Sequence, residues 1–311
     1  MEYFIPGFKS LAWVMAATVL CVAVSCRREP IYTQVDKVEV RFDFDLSEAD
    51  TAMHIKPTKP SLIKVMFYNS DTHDAVSQMY YTPTGGKVSG LLPGSYDVVA
   101  YGYTCEYTEV SGEKNFNTLR AYTSELSMDT DTLGTVIRMP DHLLAGRKMK
   151  VEIPYMSEVD TTIVIRPKMK TILDSYTLQI DSLKGLENVT SVDVYLTGHA
   201  QSNMLGTGER SENDVTLHLT CGVDMDRYCL FTKFNTFGKI AGKLGKAFLR
   251  IVVTGRGGAV YNFSEDITEQ YNNPSHRLKL WFHGEIKPRE EGGFDPVVDE
   301  WDAEVIDIPI S

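Results

Sequence analysis

Several things are scarce in this 311-residue chain, and each shortage narrows the reading. Basic charge is in deficit, with 31 Lys and Arg against 42 Asp and Glu, a net charge of −11. That balance argues against nucleic acid as a partner and against adhesion to anionic lipid by charge, and no basic patch interleaved with aromatics is present. Cysteine is sparse too. Beyond Cys26 only Cys105, Cys221 and Cys229 remain, and three thiols cannot all pair. Cys221 and Cys229 could bridge, but their spacing does not require it. Cys221 continues the alternation Val215, Leu217, Leu219, which predicts a buried free thiol. A chain of this length buries a full core without disulfides.

Long apolar runs are missing after Cys26, where nothing approaches the roughly 18–20 residues of a membrane-crossing helix. Reaction motifs are missing as well. There is no G-x-S-x-G, no G-x-x-x-x-G-K-[ST] and no H-E-x-x-H. Of the seven histidines no two lie three or four residues apart; His199 and His218 could meet across strands, but surface or core positions are expected. Asp129 to Gly134 opens like a calcium loop, then has Leu133 at a ligand position and Pro140 where the closing Glu belongs. It reads as a turn before a strand over 134–138. No catalytic residue, metal site or cofactor is expected.

What is present begins at the amino terminus. Lys9 precedes an apolar run of fourteen residues, Leu11 to Val24, which ends at Ser25-Cys26 and the charges Arg27, Arg28 and Glu29. The run is short for a permanent span. Ala23-Val24-Ser25-Cys26 resembles a lipobox, with Ala23 where Leu is usual. Residues 1–25 are therefore expected to be a cleaved lipoprotein signal peptide, Cys26 the lipid-attachment residue and 26–34 a tether. One acyl chain holds only marginally; two or three give a stable anchor.

The remaining pattern has period two. Val38 to Leu46 alternates apolar and charged residues, the mark of a strand with one wet face. Strands are predicted at 63–68, 78–82 and 95–101, and then at 161–166, 176–180, 191–196, 215–221, 228–235, 248–253, 260–264 and 277–282. Gly- and Pro-rich turns separate them. The expected fold is all-β, two tandem antiparallel sandwiches over 35–145 and 146–288, with the break at the Met139 to Gly146 interruption. Residues 104–120 read as a long loop and 237–249 as a short helix or turn. Residues 289–311 read as an acidic hinge with a terminal strand that adds to its own sheet or to another chain.

Some segments resemble a known family. Pro167 to Met169 after a strand, the turn Gly185-Leu186-Glu187-Asn188-Val189 and the strand exit Thr197 to Ser202 look like the fimbrillin-type C-terminal domain. Leu92 to Tyr101 looks like a strand of its N-terminal domain, and Gly292 to Ile310 like the ending of related lipoproteins. The resemblance is to fimbrillin-like pilus subunits and anchor lipoproteins of anaerobic Gram-negative bacteria. It implies two transthyretin-like sandwiches and a non-enzymatic outer-membrane lipoprotein, facing the periplasm or the cell surface. It implies an anchor or accessory role in a fimbria, with fimbrial subunits or other surface proteins as partners and the membrane held through the lipid. Stalk subunits of that family lose their first strand to an Arg-directed protease; here Arg27 and Arg28 touch the lipidated cysteine and Arg41 lies inside the first strand, which favours an anchor. The alternative is a surface glycan-binding lipoprotein, but Trp281 and Trp301 sit among apolar strand residues and Trp13 leaves with the signal.

Replacing Cys26 by Ala should abolish acyl labelling and release the protein from the membrane. Continued attachment of that variant, followed by fractionation, would refute the tether.

Overall fold

The computed structural model describes residues 38–48, 59–102, 105–127, 133–154, 161–240 and 246–288. Cys26, the tether, the calcium-like turn at 129–132 and the terminal strand lie outside the described residues. Twenty strands are described. The first half holds β1 (Val38–Phe42), β2 (Ile63–Asn69), β3 (Ala75–Tyr81), β4 (Gly86–Val88), β5 (Gly94–Gly102), β6 (Thr108–Ser111), β7 (Arg120–Thr123) and β8 (Val136–Arg138). β9 (Leu144–Ile153), β10 (Thr161–Ile165) and β11 (Lys170–Thr171) complete it. The second half holds β12 (Asp174–Lys184), β13 (Val189–Ala200), β14 (Ser202–Met204), β15 (Asp214–Thr220), β16 (Gly222–Asp224) and β17 (Cys229–Thr236). β18 (Phe248–Gly255), β19 (Val260–Asp266), the one-turn helix α1 (Thr268–Asn272) and β20 (Arg277–Glu285) close the described chain.

In the first half the sheet β10-β1-β4 packs on the sheet β11-β9-β5-β2-β3. In the second, β16-β17-β12-β20 packs on β19-β18-β13-β15-β8. The all-β expectation holds, and every strand predicted within the described residues forms. Three pairings are nevertheless parallel: β1 with β10, β12 with β20 and β8 with β15. Each joins segments far apart in the chain, which a local alternation cannot reveal.

β2 and β5 explain why the halves hold together. Ile63, Val65 and Phe67 of β2, with Tyr96, Val98 and Ala100 of β5, point into the first core. Their neighbours Met66, Tyr68, Val99 and Tyr101 point the other way, into a core continuous with that of the second half. A strand buried on both faces reads as an unbroken apolar run, which Val65 to Tyr68 is. The outer face is covered by Phe116, Leu119 and Ala121, around and within the β6–β7 hairpin. β7 then pairs with β14 of the second half, and the Leu205 N–H donates to the Leu119 carbonyl at 2.8 Å.

The expected break at residue 145/146, within a boundary region of about 140–158, falls inside β9 (Leu144–Ile153). β9 runs antiparallel to β5 from Tyr101↔Ala145 to Gly94↔Ile153, and β11 adds to its other side. By strand pairing the halves meet near residues 172–173, while β8 crosses over to join β15. The charged stretch Arg147 to Lys150 disguised β9 as a linker. Gly146 is needed there, since a Cβ would lie 2.8 Å from both the Lys168 carbonyl oxygen and Met169 Sδ. The supposed loop at 104–120 contains β6. Its entry is ordered by the Asp141 carboxylate, which accepts the backbone N–H groups of Glu106 (2.7 Å), Tyr107 and Thr108 (3.0 Å). Part of the predicted helix, 241–245, lies outside the described residues; Phe248 and Leu249 belong to β18.

Ile137 of β8 is 1% exposed in the shared core, opposite Leu217. Ile137→Ala should cost about 2–5 kcal/mol and lower the urea midpoint of the second half, read by tryptophan fluorescence. An unchanged midpoint would show the halves to be independent.

Candidate functional site

The first strand is the structural feature with the clearest capacity for interaction. β1 lies in the middle of its sheet, parallel to β10 and antiparallel to β4. Its alternation sends Val40, Phe42 and Phe44 inward, where they are 3–7% exposed. Phe42 stacks on Phe44 at 5.5 Å and meets Phe67 edge-on at 5.7 Å. Strand-like bonding continues past β1: Asp43 and Asp45 donate N–H to the carbonyls of Ile165 and Pro167, at 3.1 and 3.2 Å. Gly85, at φ +77°, lets the turn before β4 approach so closely that a Cβ would lie 2.1 Å from the Phe42 carbonyl oxygen. Burying three such side chains contributes about 5–9 kcal/mol, comparable with the roughly 5–15 kcal/mol net stability of a domain. β1 is therefore a filled slot, and its removal would expose an apolar groove between β4 and β10.

The outer positions of β1 carry charge. Glu39 lies 3.7 Å from Lys87 of β4, and Asp43 lies 2.8 Å from Arg166, just past β10. Beyond the strand, Glu48 meets Lys168 at 2.5 Å. Among the described residues the sheet edges are β10 and β4, β11 and β3, β16 and β20, β19 and β8, and β14 and β6. β3, AVSQMYY, carries no charge, and its Val76 and Tyr80 are about half exposed.

The groups singled out for chemistry do not converge. His199 and His218 share neither a pair nor a partner. His199 is buried against Tyr271, whose hydroxyl shares a 2.6 Å hydrogen bond with Nδ1, and burial pushes its pKa down to about 3. His218 sits on the sheet surface, 2.9 Å from Asp193. Cys221 and Cys229 are free and buried. In the β16–β17 register Gly222 faces Phe231 and Asp224 faces Cys229, so the two cysteines are offset by about three residues, roughly 10 Å. A disulfide needs Cα atoms within about 7 Å. Burial raises the Cys221 thiol to about 12 and the Cys105 thiol to about 11, the latter helped by Asp141. Cys105 lines a cleft of about 390 Å³ with Lys64, Tyr101 and Glu113, where Lys64 Nζ is 2.6 Å from Glu113 and the Tyr101 hydroxyl donates to the same carboxylate. Those groups satisfy one another. No three His, Cys, Asp or Glu side chains converge as metal ligands among the described residues. The Trp281 ring lies beneath Lys279 and the Phe231 ring beneath Arg227, at 4.9 and 5.5 Å, so neither presents a bare face to a sugar. Cys26 falls outside the described residues.

Fold and surface together define an all-β chain of two coupled sandwiches that presents exposed strand edges and holds its first strand in the middle of a sheet. Residues 25–220 match the family described as domain of unknown function (DUF5119), and the chain belongs to that family. It is similar to the candidate fimbrium anchoring subunit Fim4B of Bacteroides ovatus, 22% identical over 233 residues, which are 70% of this chain and 66% of that protein. Among solved structures it shares the fold of a candidate adhesin from Bacteroides ovatus, with TM-score 0.62 and 19% identity over 85% of this chain and 98% of the other. The fimbrial anchor protein Mfa2 of Porphyromonas gingivalis matches more distantly, with TM-score 0.48 and 17% identity over 79% and 91% of the two chains.

His199 makes stability depend on pH. Above its ordinary value of 6.5 both states are neutral; between pH 6.5 and about 3 only the unfolded chain takes the proton. Acidification through that window should cost roughly 1.4 kcal/mol per pH unit relative to a His199→Gln variant. Parallel urea midpoints for the two proteins at pH 7, 5 and 4 would disprove it.

Proposed function

We propose that this chain is a non-enzymatic outer-membrane lipoprotein that anchors a fimbria or serves as its accessory subunit, and that it acts by β-strand contacts with fimbrial subunits or other surface proteins. The described likeness to a fimbrium anchoring subunit and to an adhesin fold supports this reading. The secretion signal ending at Cys26 supports the lipid tether, and the two sandwiches are read as transthyretin-like. The chain faces the periplasm or the cell surface.

The observation that carries the reading is the position of β1. Eleven residues, 27–37, separate Cys26 from Val38, so the lipid lies within about 40 Å of the strand. Any pull between membrane and fimbria passes first into β1. A central strand, bonded on both sides and carrying three buried apolar side chains, suits that load. Contacts with partners then fall to the exposed edges, where backbone hydrogen bonds give affinity and alternate side chains give specificity.

Loss of the chain from its own cells should release fimbriae into the medium; fimbriae that stay attached in normal number would overturn the anchoring role. A disulfide staple at the Val40↔Val88 pair of β1 and β4, made as Val40→Cys with Val88→Cys, separates anchor from stalk. An anchor keeps its first strand, so the stapled protein should hold fimbriae as well as the unaltered chain does. Failure of the stapled protein to hold fimbriae, while the reduced form succeeds, would show that β1 has to leave.

A further inference from the structure

The flanks of the β1 slot differ in charge from the rest of the molecule. In a chain of net charge −11, the segments bordering the slot, 86–90 and 161–170, contain no carboxylate at all. They carry Lys87 on one side and Arg166 and Lys168 on the other, with exposed ammonium and guanidinium groups. The register aims these cations at the outer positions of the resident strand. Lys87 is directly opposite Arg41, and Lys168 is bridged to Asp45; Arg166 follows Ile165, the partner of Phe42, and so faces Asp43. β1 answers with Glu39, Asp43 and Asp45, and Glu48 follows.

One position is mismatched. Arg41 faces the like charge of Lys87, and only Glu39, 3.6 Å from Arg41 and 3.7 Å from Lys87, separates them electrostatically. Like charges directly opposite across a strand pair are destabilising. The native strand is therefore less acidic than its slot favours.

We infer that the β1 slot reads charge: it accepts an extended strand with apolar inner positions and carboxylates at alternate outer positions, and excludes one with cations there. This rests on the proposed anchoring role, in which β1 keeps its place, and names what holds that strand there against other strands. Apolar burial supplies the affinity, which any alternating apolar strand would share. The cations decide between strands of equal apolar content, and the resident β1 is held against neutral or basic competitors.

Two measurements on the full mature chain separate the inference from the reading beneath it. In the first, hydrogen exchange is followed at residues 38–46. Arg41→Glu should slow it and Arg166→Glu with Lys168→Glu should speed it, each by about two- to fivefold, and Asp43→Arg with Arg166→Asp should restore the rate of the unaltered chain. All these substitutions are on exposed side chains. Rates unchanged in all of the variants overturn the charge code. In the second, labelled peptides keeping the inner residues of β1 carry Glu, Gln or Lys at the outer positions. The Glu peptide should enter about tenfold more than the Gln peptide, the Lys peptide should be last, and the order should level at 1 M salt, where screening acts within about 3 Å. Equal entry of all three overturns the charge code while leaving strand exchange standing. Entry of none, with residues 38–46 still protected, overturns the charge code as the guard of the slot, because apolar burial alone then closes it.

Discussion

Double-sided burial of β2 and β5 is the constraint on which the rest of the architecture depends. One face of these strands closes the first sandwich and the other extends the core of the second. The halves consequently share apolar surface and do not merely touch. The seam is stitched by backbone pairing as well, through β7–β14 and β8–β15. A force entering at β1 can reach β20 without crossing a flexible joint in the described chain. For a protein read as an anchor, that continuity matters more than any single contact.

Much of this was legible in the sequence because period-two alternation reports one thing reliably, a strand with one buried face. Val38 to Leu46, Val215 to Cys221 and Arg277 to Phe282 all announced themselves that way. What escaped had other physics behind it. β9 carries four consecutive exposed residues, Arg147 to Lys150, and a glycine fitted to its neighbour's backbone. β6 is four residues long and owes its entry to a distant carboxylate, Asp141. The parallel pairings depend on segments far apart in the chain, from Val136 with Thr216 to Val38 with Thr161. The charged outer face of β1 was visible as alternation, but its cationic counterpart at Lys87, Arg166 and Lys168 became evident only with the register.

The polar groups that might have carried a reaction are occupied with folding. His199 Nδ1 and the Tyr271 hydroxyl pair in the core, Lys64, Glu113 and Tyr101 close a network under the β6 hairpin, and burial keeps the thiols protonated. Among the described residues, backbone at the sheet edges remains available to other molecules, and it suits the recognition of extended polypeptide.

The parallel union of β1 with β10 also bears on the order in which the protein can be made. A chain threaded through a membrane from its amino terminus exposes β1 early, yet one of that strand's two partners ends only at Ile165. Closing so large a loop is entropically slow. The front half of the polypeptide thus stays unfinished, and threadable, until more than half of its length has emerged. For a chain read as a lipoprotein on Cys26, that interval would leave time for acylation and cleavage before β1 is locked in place.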